Sequence, residues 1–202
     1  MTNTIQIVSL EKTGKESSLQ KEYNNNSIKI LDGYFFSKKL DDKKFKKISK
    51  LISNQVSQKI LTKKNVNNIL SKYSKFNWVI EIKFLPGVTD NIATTVKEII
   101  SDNLKNSFKN FQLGSTKIIL VKGSKKDITK ISNNEANPLI QTIKIYPYKK
   151  YLDNFKKNKF TLEKVKLPKK KYTKKEIDLS ISDHNLSLIG KLGIEENDKS
   201  RR

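Results

Sequence analysis

One histidine, His184, stands in this sequence of 202 residues, and there is no cysteine. Imidazole acid–base or metal chemistry therefore has a single group to work with. His184 sits just behind Ser182 and Asp183, either of which is a plausible helix N-cap, so it reads as a surface or capping residue. The lack of cysteine removes disulfides, thiol nucleophiles and thiolate metal sites together. No His/Cys cluster has metal-ligand spacing. Asp41-Asp42 and Glu195-Glu196 are adjacent carboxylates, and neighbours on a helix point in different directions, so neither pair makes a two-carboxylate site. The seven glycines are scattered, and neither GxGxxG nor GxxxxGK[ST] occurs to cradle a phosphate. Asp90 beside Thr89 is best explained as a helix cap, although a helix N-terminus also attracts anions. Nothing assembles a nucleophile, a base and an oxyanion donor. The expectation is a chain without catalytic, cofactor-binding or metal-ligating residues of its own.

The elements around these residues are better marked than the chemistry. Trp78, Ile80, Ile82 and Phe84 alternate with Val79, Glu81 and Lys83, which predicts a strand with one apolar face. Lys117–Val121 is nearly continuous in apolar residues, as in a strand buried on both sides. Thr4–Leu10, part of Ile28–Ser37, and Ile140–Tyr146 also read as strands. Ile92, Val96, Ile99, Ile100 and Leu104 form a helical stripe over 89–104, entered through Pro86-Gly87. Phe45, Ile48, Leu51 and Ile52 mark a second helix from Asp41 to about Ser53. A weaker helix is expected over about 126–135. The order over 78–146 is then β-α-β-α-β, of ferredoxin-like character, with helices on one face of its sheet and the other face left to be covered.

The first part of the chain repeats this pattern. Residues 48–60 (ISKLISNQVSQKI) and 131–143 (ISNNEANPLIQTI) align at an offset of 131 − 48 = 83. Ile48/Ile131, Ser49/Ser132, Asn54/Asn137, Gln58/Gln141 and Ile60/Ile143 are identical. The same offset pairs Phe35 and Phe36 with Ile118 and Ile119. An internal duplication follows, roughly 3–62 and 77–147. The fold class expected is α+β: tandem β-α-β-α-β units, packed sheet against sheet about a pseudo-twofold axis. Residues 149–176 are lysine-dense without an apolar period and read as an extended connector over the surface.

The net charge of +22 would suit a polyanionic partner. The only arginines are Arg201 and Arg202, however, and specific phosphate or base recognition favours the bidentate Arg fork. Abundant Lys, Asn and Ile together resemble an AT-rich coding bias. The charge is read here as a solvated lysine surface, with a basic nucleic-acid-binding module as the alternative function. A mean hydropathy of −0.63, no apolar run of about 20 residues and no secretory signal pattern at Met1–Leu10 predict a cytoplasmic protein without a membrane partner.

Three segments carry a family resemblance. Trp78–Lys97 (WVIEIKFLPGVTDNIATTVK), followed further on by Ala136–Ile140 (ANPLI), resembles phosphoribosylformylglycinamidine synthase, in the form where a region similar to the separate small subunit is fused ahead of the large catalytic subunit. The most specific motif is Pro86, Gly87, Val88, Thr89, Asp90, Asn91. The second contains Asn137 and Pro138. Asp178–Gly193 is similar to the start of the family's linker domain, and Ser200-Arg201-Arg202 resembles the lead into a segment beyond it. The resemblance implies small-subunit-like units at 1–75 and 76–148, the connector at 149–176, and an incomplete linker domain at 177–202. It also implies that two tandem units mimic the small-subunit dimer. The family makes the amidine from formylglycinamide ribonucleotide, ATP and glutamine. By resemblance ATP and Mg belong to the catalytic domains, so this chain is expected to hold no cofactor. Its implied role is to couple the large synthetase domains with the glutaminase domain or subunit.

Overall fold

The computed structural model describes residues 2–25, 27–73, 75–104, 110–160 and 162, together with 182, 184, 185 and 188. The chain divides into two units, Met1–Val165 and Lys166–Arg202. The expected linker domain and most of the lysine-rich connector lie outside the described residues, apart from a few positions; among these His184 is helical and exposed.

The first unit is built on six strands: β1 (Thr2–Ser9), β2 (Ile28–Leu40), β3 (Gln58–Ile60), β4 (Trp78–Phe84), β5 (Leu113–Val121) and β6 (Gln141–Pro147). Between and after them run α1 (Gly14–Glu22), α2 (Asp42–Ile52), α3 (Val66–Leu70), α4 (Asn91–Leu104), α5 (Lys125–Glu135) and α6 (Tyr148–Lys156). The strands form one sheet in the order β3-β1-β2-β5-β4-β6, and every pairing is antiparallel. The architecture is therefore α+β, as expected.

The expectation that two sheets would stack is corrected. β2 and β5 meet edge to edge at the centre, in register from Ile28↔Val121 to Phe36↔Leu113. Both strands carry apolar side chains on both faces, and an open edge on either would leave a row of backbone groups without partners. At the middle of this seam Gly33 lies opposite Thr116. A methyl group at position 33 would come within 2.5 Å of Thr116 Cγ2. The Thr116 rotamer is fixed by its hydroxyl, which donates to Ile82 O at 2.9 Å.

One face of the sheet is covered by α1, α2, α4 and α5. Ile48, Val96 and Ile100 pack on Ile5, Ile7, Phe36 and Leu40, while Leu19, Ile128 and Ile131 pack on Ile80, Ile82, Ile119 and Val121. The other face is covered by two helices that the sequence reading did not anticipate. Val66 and Leu70 of α3 and Tyr151 and Phe155 of α6 close over Val8, Leu31, Phe35, Val79, Ile118 and Leu120. The start of the presumed extended connector is thus a helix with a buried aromatic stripe. After α6, Asn158 adopts φ 53°, the left-handed position that ends helices. The chain then turns back and buries Phe160 against Phe35 and Tyr151.

Capping residues set the helix starts. The Asp41 carboxylate accepts from Lys44 N, and Ser124 accepts from Asp127 N. Thr13 and Glu16 form a reciprocal capping box at α1.

Candidate functional site

The two motifs singled out in the sequence converge at one end of β4. Phe84 lies opposite Gln141, and Leu85 N donates to Ile140 O at 2.9 Å. The chain then reverses: Val88 N donates to Leu85 O at 3.0 Å, with Pro86 and Gly87 at the two central positions. Gly87 has φ 94°, as the third residue of a type II turn requires, and a side chain there would be strained. Pro86, Gly87, Thr89 and Asn91 are exposed, and Val88 is half-buried.

Asp90 ties this turn to the sheet. Its Oδ1 accepts from Ala93 N at 2.9 Å, which caps α4, and from Ser115 Oγ at 2.9 Å. Its Oδ2 accepts from Ser115 N at 2.6 Å. Both carboxylate oxygens are therefore occupied by α4 and β5. Asn137 organises the second motif. Its side-chain oxygen accepts from Leu139 N at 3.0 Å, its backbone N donates to Gln141 Oε1 at 2.9 Å, and its carbonyl accepts from Gln141 N at 2.8 Å. Pro138 follows in the exposed turn, and Leu139 projects into solvent with 83% of its surface exposed.

A cavity of about 580 Å³ opens beneath the Pro86–Asp90 turn. Phe35, Phe84, Leu85, Val88 and Leu162 give it apolar walls, and Lys83 and Asp90 are its charged groups. Lys83 Nζ lies 3.0 Å from Glu81 Oε1 and 4.2 Å from the Phe35 ring centre. With Asp90 also engaged, both charged groups at the cavity have partners within the chain.

A smaller cleft, about 290 Å³, lies on the four-helix face over Asp32, Tyr34 and Lys117. Lys117 Nζ donates to Glu135 Oε2 at 2.9 Å and to Glu135 O at 3.1 Å, and Lys15 joins the same carboxylate at 3.5 Å. Burial, outweighing its Glu135 partner, lowers the Lys117 pKa. Burial pushes the Glu135 pKa up, but the two ammonium groups overcome it and hold it below the usual carboxylate value. Asp32 still reaches solvent, yet crowding and the nearby Glu16 charge raise its pKa. Tyr34 is pushed up to about 12 by burial, with Asp32 and Asp90 adding to the effect.

Sequence reasoning missed several buried polar groups. Glu81 (4% exposed) accepts from Tyr146 OH at 3.2 Å. Burial and this carboxylate raise the Tyr146 pKa strongly. The Tyr151 hydroxyl, fully buried, donates to Gln6 Oε1. Glu16 and Lys29 form a buried pair at 3.2 Å, in which Glu16 also accepts from Thr13 N and Ile30 N. The capping-box spacing Thr13-x-x-Glu16 was a readable signal for Glu16. Glu81 carried none, because it sits on the face that strand alternation marks as polar.

Among the described residues no group of three or more His, Cys, Asp or Glu side chains could hold a metal ion. No described helix is long and apolar enough to cross a membrane. A scan of protein-family models and a search of curated proteins both returned no match to this chain.

Proposed function

We propose that this chain is a non-catalytic, small-subunit-like N-terminal region of phosphoribosylformylglycinamidine synthase, coupling the synthetase and glutaminase parts of that ligase. The observation that carries the reading is the seam between β2 and β5. The sequence offset of 83 sends Gly33 to 116, and Gly33 is the residue paired with Thr116. A pseudo-twofold axis must pass between residues that are each other's equivalents, so the offset and the register support one duplication.

Local detail supports it as well. α2 and α5 begin at 42 and 125 and end at 52 and 135, both in steps of 83. Asn54 repeats the Asn137 turn: its side-chain oxygen accepts from Val56 N at 2.9 Å, and its backbone N donates to Gln58 Oε1 at 2.8 Å. Val56, the counterpart of Leu139, is 86% exposed. On this reading the tandem units occupy the places of two small subunits, and their exposed turns and the cavity under Pro86–Asp90 face the larger domains. ATP, magnesium and substrate groups of that family belong to its large-subunit domains, and none is carried onto this chain.

The test is reconstitution. The chain alone is expected to turn over no formylglycinamide ribonucleotide. Mixed with the cognate synthetase and glutaminase domains, it is expected to co-purify and to raise glutamine-dependent turnover while changing ammonia-dependent turnover little. Failure to bind the synthetase domains would end the proposal.

A further inference from the structure

The positive charge of this protein is not spread evenly over its helices. α1 balances Lys15 and Lys21 with Glu16 and Glu22. α4 carries Lys97 against Glu98 and Asp102. α2 carries Lys43, Lys44, Lys46, Lys47 and Lys50 against Asp42 alone. A uniform lysine bias would not concentrate charge in this way.

Lys43, Lys46, Lys47 and Lys50 are spaced i, i+3, i+4 and i+7, so they share one exposed stripe. The opposite face is anchored by Ile48, with Phe45 and Ile52 packed beside it. Lys44 is taken by the N-cap Asp41 at 3.3 Å. Among the described residues no acidic side chain lies within ion-pair distance of the other four. Like charges at these spacings on a helix repel one another and destabilise it. The free protein therefore carries a local repulsion that a polyanion would relieve.

We propose that the α2 stripe is a docking site for the phosphate backbone of a nucleic acid, read without sequence preference. Over the roughly 10 Å from Lys43 to Lys50, a duplex carries about six phosphate charges, enough to engage all four lysines. The stripe offers ammonium point charges without arginine forks or aromatic platforms, so it neutralises phosphates and reads no bases. A flat anionic membrane fits less well. The apolar face of α2 is committed to the core, so the helix has no apolar surface to insert among lipids.

The experiment measures binding of the full chain to a short labelled DNA duplex across a salt series. If all four lysines engage, log affinity falls with log salt at a slope of about −3.6. Replacing Lys43, Lys46, Lys47 and Lys50 with Gln is expected to remove most of that slope and at least about tenfold of the low-salt affinity. Replacing Lys149, Lys150, Lys156 and Lys159 with Gln removes equal charge elsewhere and is expected to change little. Thermal melts of both variants report folding, and the α2 variant is expected to melt no lower than the parent. Three results would overturn the proposal: no retention of duplex at low salt, equal loss in the two variants, or phosphatidylserine vesicles binding with the same dependence on α2.

Discussion

At the scale of single residues, the motif positions act through backbone geometry. Asp90 is the clearest case, because one carboxylate caps α4 and holds Ser115 of β5. Asp90→Ala removes the cap and leaves Ser115 N without its acceptor. The expected loss is about 2–3 kcal/mol, and Asp90→Asn, which keeps a cap acceptor, is expected to lose about half as much. Urea unfolding of the two variants measures this. A loss under about 0.5 kcal/mol for the alanine variant would show that α4 is held by its apolar stripe alone. The sequence made the cap readable, since Thr89-Asp90 precedes a long apolar period. It did not make the Ser115 contacts readable, because they span 25 positions and depend on where β5 lies.

At the scale of elements, α6 shows how composition can mislead. Its lysines, Lys149, Lys150 and Lys156, face solvent, while Tyr151 and Phe155 are buried. In so short a helix two aromatic anchors are a faint period, and the lysine density around them suggested a solvated chain. Their energetic weight is large, because they cover a face of the sheet that no other sheet covers. Phe155→Ala is expected to destabilise by about 3–5 kcal/mol, whereas Lys156→Ala on the same helix is expected to stay within about 0.5 kcal/mol. Chemical denaturation distinguishes these outcomes. Equal effects would mean that α6 is a surface appendage. α1 was missed for a related reason: Leu19 is its one buried apolar side chain, and its start is signalled by the capping box instead.

At the scale of the whole molecule, the two halves of the first unit share one sheet. The boundary expected near 75/76 falls between α3 and β4, yet the sheet runs across both halves through β2 and β5, and α3 and α6 seal a common core. Residues 1–165 are expected to unfold in a single calorimetric transition whose van't Hoff and calorimetric enthalpies agree. Two resolved transitions would instead show that the halves fold independently.

The sequence by itself determined the α+β class, five of the six described strands (β1, β2, β4, β5 and β6) and the helices α2, α4 and α5. These are local or periodic properties, written in apolar spacing, caps and turn residues. Only the tertiary structure decided that β2 and β5 join into one sheet, because register is set by matching backbone edges across distant segments. It also decided that the second face is closed by α3 and α6, since burial depends on which surfaces remain open once the sheet has formed. His184 and the acidic pairs offered no chemistry in the sequence. Asp41 proved to be the α2 cap, while the motif residues Pro86–Asp90 and Asn137 proved to shape the end of β4 that borders the cavity.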